Sequence, residues 1–321
     1  MTCSDYSQSE TFQMTAPGRC SKKPAVSRPD SAFLEAKCLR FKHLRVSECA
    51  FVLMHPKAEK LVLEDCVWDH LAFSALPNAK QKRVHTIHLI GSSVSCFAFE
   101  DIFTKFPGLR ELNFFPPPDE FDTMYDMVGE VFVQFGQALE SLTFFNEHGL
   151  PFTSPLGSLK GLTNLKSLEI DLEFLIGFRT IPDSDCDEYL DSPFAADEDF
   201  DFDEERDSFP DWSFLELLPA SLEKLIIWLD EPKIAVYFDT YERYGAKLEE
   251  LLTADRFDKL EYVQAPLVGT VVKKLGGKLT GWAVDTCNRI KRVSTTTPST
   301  DETPRVVDIG DGPMTDYEED A

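Results

Sequence analysis

Long apolar stretches are missing from this 321-residue sequence, in which Leu225–Leu229, one of the longer stretches, spans five residues. A helix that crosses a bilayer needs about 20 apolar residues, so no such helix is predicted. Residues 1–20 are rich in Ser and Thr and have no uninterrupted apolar segment, unlike a secretion signal. The sequence therefore predicts an intracellular protein, cytoplasmic or nuclear, without a membrane partner.

Basic residues are also scarce, since 32 Lys and Arg stand against 56 Asp and Glu and give a formal net charge of -24. Most of this charge lies in two segments: residues 183–211 carry -13 and residues 301–321 carry -7, which leaves -4 for the rest. Nucleic acids are bound through basic patches, which this distribution does not favour. We therefore expect no nucleic acid, and a protein partner with a basic segment.

Signatures of catalysis and of metal binding are absent as well. The six His form no HExxH pattern, no G-x-S-x-G pattern occurs, and the eight Cys show no CxxC spacing. Two acidic runs begin like calcium loops at Asp183 and Asp199, but Glu188 and Glu204 stand where such a loop needs Gly. We therefore expect reduced thiols, no metal, no cofactor and no catalytic residue. A hydrolase with an unrecognised site is the alternative.

A repeated pattern of the form L-x-x-L-x-L-x-x-N/C runs through the chain. Its second apolar position falls at residues 44, 61, 87, 112, 142, 168, 225 and 263, and four of the seven steps are 25 to 30 residues. Leucine-rich repeats recur every 20 to 29 residues, with the leucines of a short strand pointing inward. The pattern predicts an α/β fold, a curved leucine-rich-repeat solenoid with parallel strands on its concave face and helices and irregular segments on its convex face.

The repeat pattern also predicts boundaries. Only Cys49 and Cys66 keep the polar residue that ends the repeat unit. Helical spacing of apolar residues marks four segments: Met124–Leu139, Tyr241–Leu252, Glu100–Phe106 and Ser213–Leu218. We expect a solenoid over residues 34–293 with an acidic insertion at 183–211, a disordered N-terminal segment at 1–33, and a disordered acidic tail at 294–321.

Three phrases resemble known repeat sequences. Residues 217–225, LLPASLEKL, resemble a phrase of leucine-rich-repeat proteins from filamentous fungi, many of which carry an F-box. Residues 106–112 and 162–168 are similar to phrases of leucine-rich repeats in general, and the resemblance covers roughly residues 34–290. It implies substrate recognition for a cullin-type ubiquitin ligase. No F-box phrase precedes the first repeat, so either a segment is missing or this member binds its partner without recruiting the ligase adaptor.

Residues between the inward positions are expected on the concave face. Ile90, Phe115 and Phe145 hold equivalent positions in consecutive repeats, which predicts a contiguous apolar ridge. Acidic and aromatic residues complete the predicted partner-binding set: Glu64, Glu169, Asp171 and Trp228. The hypothesis is a partner segment that is apolar in the middle and basic at one side. The alternative is that loops of this chain cover the ridge.

Overall fold

The computed structural model describes residues 11–15, 35–69, 73, 79–117, 125–145, 155–176, 213–229, 241–275, 282–284 and 289–292. These residues form a mixed α/β fold around one mostly parallel sheet of eleven strands. The predicted acidic insertion at 183–211 and acidic tail at 294–321 lie outside the described residues.

The strands of the large sheet follow chain order along most of its width. Their bounds are β1 Thr11–Thr15, β2 Cys38–Lys42, β3 Lys60–Glu64, β5 Thr86–Ile90, β7 Glu111–Phe115, β8 Ser141–Phe144, β9 Ser167–Asp171, β10 Lys224–Trp228, β11 Tyr262–Gln264, β12 Trp282–Val284 and β13 Arg289–Arg292. A second, two-stranded sheet joins β4 Val67–Trp68 to β6 Ser93–Val94. Strands β1 to β11 of the large sheet are parallel, and β13 and β12 close it as an antiparallel pair that the sequence did not predict.

Helices follow most strands of the described part. Their bounds are α1 Val46–Leu53, α2 Cys96–Lys105, α3 Tyr125–Phe135, α4 Leu172–Ile176, α5 Phe214–Leu217, α6 Tyr241–Thr253 and α7 Val268–Leu275. Four of these, α2, α3, α5 and α6, lie where helical spacing predicts them. Ser95 begins α2 by accepting a hydrogen bond from the Ala98 amide on its side chain, which satisfies one open N–H of the first turn.

One row of apolar residues crosses the sheet and fixes the register of the parallel strands. The row is Leu39, Leu61, Ile87, Leu112, Leu142, Leu168, Leu225 and Val263. All eight side chains are fully buried, and helix residues such as Phe132 and Leu248 join them in one core. A slip by one residue would turn these side chains to the other face, so the core holds the register.

Aromatic rings strengthen the centre of this core. The Phe144 ring lies 4.8 Å from the Phe114 ring and 4.4 Å from the Phe174 ring, measured between centroids. Phe99 packs edge-on against both Phe114 and Phe132 at 5.4 and 5.2 Å, which joins α2 and α3 to the sheet. Edge-to-face contacts of this kind add to the burial of apolar area.

The first repeat differs from its prediction. The strand expected near residue 44 is β2, in which Leu39 pairs with Leu61, whereas Leu44 follows the strand and Val46 begins α1. The sequence fits the pattern in both registers, but the observed one places the inward residues 22 positions apart and so within the usual repeat length. The prediction of Cys49 as a repeat-ending residue is therefore wrong, because Cys49 lies within α1.

Cys66 does end its repeat as predicted. Its buried Sγ lies 3.6 Å from the Phe41 carbonyl oxygen and 3.3 Å from that of Glu64, and the thiol donates to them where the chain leaves β3. Burial raises the pKa of this thiol, so it stays protonated and able to donate.

The N-terminal segment also differs from its prediction in part. Residues 1–33 are expected to be disordered, but Thr11–Thr15 forms β1 and pairs in parallel with β2 over five residues. The sequence TFQMT combines β-branched, aromatic and apolar residues, which favour a strand. Strand β1 also supplies partners for backbone groups that the edge of β2 would otherwise expose. The other residues of 1–33 lie outside the described range.

Candidate partner-binding face

Residues that alternate with the core row point to the opposite side of the sheet, called here the outer face. In β5, Ile87 and Leu89 are fully buried in the core, while His88 and Ile90 point the other way and are partly exposed. The strand period of two produces this alternation of side-chain direction, which also applies to β7 and β9, where the outer-face residues Asn113 and Asp171 are nevertheless buried. The predicted site residues all lie on this face, at or near the carboxyl ends of their strands.

An apolar ridge crosses the outer face and consists of Ile90, Phe115, Phe145 and Trp228. Ile90 pairs with Phe115 in register, and the Phe115 and Phe145 ring centroids are 6.4 Å apart. The Phe145 and Trp228 centroids are 5.4 Å apart. Ile90 and Trp228 remain 39% and 37% exposed, and the two phenylalanines are half-buried. The structure thus brings the three predicted ridge residues together and adds Trp228 to them.

Trp228 reaches over the neighbouring strand β9. Its register partner on β9 is Asp171, which is only 8% exposed. Strands two places apart are separated by about 10 Å, so a 5.4 Å contact requires the Phe145 and Trp228 rings to lean together over Asp171. The indole Nε1 donates a hydrogen bond of 3.1 Å to Glu169 Oε1. Glu169, Asp171 and Trp228 therefore form one end of the site.

Glu64 lies at the other end of the ridge, in register with Ile90. Its carboxylate forms ion pairs with Arg40 and Lys42, and only 10% of the side chain is exposed. Burial alone would raise the pKa of Glu64, but the two bases outweigh burial and hold the pKa below its ordinary value. The negative charge that the sequence suggests at this end is therefore compensated within the chain.

Sequence reasoning did not identify a polar cluster around Glu111, next to the ridge. His88 Nε2 lies 3.5 Å from Glu111 Oε1, Asn113 donates to that oxygen at 2.9 Å, and Thr86 donates to Oε2 at 3.2 Å. These neighbours, His88 foremost, hold the pKa of Glu111 at about 2, although burial opposes them. The sequence signal that could have revealed this cluster is a pair of polar residues two positions apart on each of two adjacent strands, Thr86 and His88 on β5 and Glu111 and Asn113 on β7.

The described residues contain no group of three or more His, Cys, Asp or Glu placed to hold a metal ion. A pocket of about 450 Å³ between α3 and residues 155–158 contains none of the predicted site residues. The ridge offers apolar area, and the carboxylates beside it offer charge.

Comparison with known proteins finds no family model that matches the chain, and no curated protein or solved structure that matches it. The resemblance to fungal leucine-rich-repeat proteins therefore rests on the phrase at residues 217–225, and the other two phrases favour the repeat fold in general. In the described part of the chain, no helix has both the length and the apolar character needed to cross a membrane.

Proposed function

We propose that this protein is a leucine-rich-repeat solenoid that recognises another protein on its outer face, which would be the concave face of the solenoid. The observation that carries this proposal is the ridge of Ile90, Phe115, Phe145 and Trp228, in which apolar side chains from separate repeats touch one another on the side away from the core. Contiguous exposed apolar surface of this kind marks interaction sites.

The ridge is large enough to anchor a partner. About a third of the surface of four large side chains corresponds to roughly 200 Å², which gives about 5 kcal/mol of gross stabilisation at 25 cal/mol per Å². The loss of translational freedom on binding offsets part of this gain. Aromatic residues near the centre of an interface are also the usual hot spots.

The fungal resemblance suggests a cellular role for this recognition. In that role, the protein selects a cytoplasmic or nuclear substrate for a cullin-type ubiquitin ligase, and an adaptor links it to the ligase. Affinity purification followed by mass spectrometry tests the link. Recovery of a ligase adaptor supports it, whereas reproducible partners without an adaptor favour recognition that is independent of the ligase.

Substitutions of two neighbouring phenylalanines distinguish an effect on partner binding from an effect on folding. Phe145 lies on the ridge, whereas Phe144 is fully buried among Phe114, Phe132 and Phe174. We expect Phe145→Ala, alone or with Phe115→Ala, to reduce partner capture at least tenfold and to cost about 1 kcal/mol of unfolding free energy. Phe144→Ala should cost about 3 to 5 kcal/mol.

Quantitative pull-down and thermal unfolding on the same proteins provide the measurement. If Phe145→Ala unfolds as readily as Phe144→Ala while partner capture is unchanged, Phe145 is a core residue and the outer face is not the binding site.

A further inference from the structure

We propose that the partner contributes an arginine side chain that stacks on the Trp228 indole and pairs with Glu169. This inference rests on the proposed function, because it assigns the basic side of the partner to one end of the ridge. It is carried by the distribution of charge along the outer face and by the position of the Trp228 ring.

Glu64 and Glu169 differ in whether the described residues supply them with a cationic neighbour. Glu64 forms ion pairs with Arg40 and Lys42. Glu169 instead accepts a hydrogen bond from the neutral Trp228 indole, and no Lys or Arg of the described residues forms an ion pair with it. Within the described residues, Glu169 therefore lacks the cationic compensation that Glu64 possesses.

A second carboxylate lies at this end of the ridge, next to the two aromatic rings. Asp171 lies two residues after Glu169 in β9, so both side chains point to the outer face. Asp171 is 8% exposed beneath the leaning rings of Phe145 and Trp228. Carboxylates near low-dielectric aromatic surface attract cations more strongly than they do in open water.

Trp228 provides the surface on which such a cation can stack. Its Nε1 is fixed by Glu169 and its ring is packed by Phe145, so the exposed part of the indole is held in place. A guanidinium is planar, stacks on aromatic faces and donates two parallel N–H groups to a carboxylate, whereas an ammonium is a more strongly hydrated point charge. This chain stacks arginine in the same way elsewhere, with Arg292 5.3 Å from the Trp282 ring centroid.

The sheet geometry sets the spacing of the partner sequence. Ile90 in β5 and Trp228 in β10 are four strand intervals apart, which corresponds to roughly 19 Å. An extended peptide advances about 3.3 Å per residue, so roughly six residues separate the first apolar anchor from the arginine. The expected ligand is therefore an extended segment with alternate apolar residues followed by arginine.

Two synthetic peptides test the assignment on the full chain: acetylated and amidated LSFSLSR, and its counterpart LSFSLSQ. Isothermal titration gives the affinities, and the Trp228 indole N–H signal in NMR locates the binding. We expect LSFSLSR to bind about fivefold more tightly, consistent with one desolvated cation–π and charge contact. Glu169→Gln should reduce this preference below twofold. Glu223→Gln, the same charge change at an exposed residue beside β10, should leave it intact.

The outcomes distinguish this inference from the proposed function. If both peptides bind equally and Phe145→Ala weakens both, the ridge is a binding site but the arginine assignment is overturned. A preference for arginine that persists in Glu169→Gln overturns the pairing with Glu169. If neither peptide binds, the outer face does not accept an apolar segment of this spacing and the arginine assignment is overturned, whereas the proposed function is decided by partner capture in Phe145→Ala.

Discussion

Ser92→Ala is the substitution whose cost the structure predicts most directly. Ser92 is 1% exposed and follows β5, where the chain turns away from the sheet. Its hydroxyl accepts a hydrogen bond from the Cys66 amide at 3.1 Å and lies 3.1 Å from the carbonyl oxygens of both Leu63 and Ile90, to which it donates. One side chain thus joins the turns of two consecutive repeats.

Removal of the hydroxyl deprives the buried Cys66 amide of its acceptor. The Ile90 carbonyl still accepts from the Asp65 amide at 2.9 Å, and the Leu63 carbonyl stays in the β3–β5 ladder through the Glu64–Ile90 pairing, so the Cys66 amide bears the loss. An unsatisfied buried group costs about 1 to 3 kcal/mol, and the Ala methyl cannot accept the hydrogen bond that the Cys66 amide donates. We therefore expect Ser92→Ala to lower the free energy of unfolding by about 2 kcal/mol. Ser92→Cys, which keeps a weaker donor and acceptor, should lie between it and the wild type.

Urea unfolding followed by circular dichroism measures the global loss, and native-state hydrogen exchange measures the local one. The Cys66 amide should exchange faster in Ser92→Ala, since its acceptor is gone. Ser47→Ala, at an exposed position of α1, is the matched control and should change stability by less than about 0.5 kcal/mol. A Ser92→Ala protein as stable as this control, with unchanged exchange at Cys66, would refute the reasoning.

Two further predictions concern stability. Gly129→Ala should lower the free energy of unfolding by about 2 kcal/mol although Ala favours helices, because the added Cβ would lie 1.7 Å from the Leu156 carbonyl oxygen. Gly245→Ala is the control, since the nearest atom to its added Cβ is 3.6 Å away, and it should raise the free energy of unfolding by about 0.5 kcal/mol. Thermal unfolding measures both. Glu111→Gln should cost about 1 kcal/mol at pH 7, a figure reduced for a side chain that is 43% exposed. Because the pKa of Glu111 is held at about 2 rather than 4.5, its contribution is complete above pH 4.5 and is lost as the pH falls toward 2. Urea unfolding at pH 7 and pH 3 should show the penalty shrinking, and a constant penalty would contradict this origin.

The turns show where sequence patterns are insufficient. The first three repeats leave their strands through a residue with positive φ: His43 at 55°, Asp65 at 49° and Gly91 at 55°. Of these three residue types, only glycine adopts this conformation without strain, so the sequence marks one turn of the three. Pro116 follows β7 and its ring fixes a negative φ, so the next turn must differ. The sequence is also insufficient in the first repeat, where the strand lies five residues before the predicted position. Two registers satisfy the apolar pattern there, and only the pairing of β2 with β3 selects between them.

The sequence by itself determined which residues of seven strands face the core. Alternation with a period of two is local, and it placed Ile90, Phe115 and Phe145 together on the other face before any contact was known. The charges beside the ridge were decided only by the tertiary structure. Arg40 reaches Glu64 across 24 residues of sequence, and Trp228 reaches Glu169 across 59. Such pairs depend on which strands are adjacent and in which register, so Glu64 is compensated by two bases while Glu169 accepts a hydrogen bond from a neutral indole.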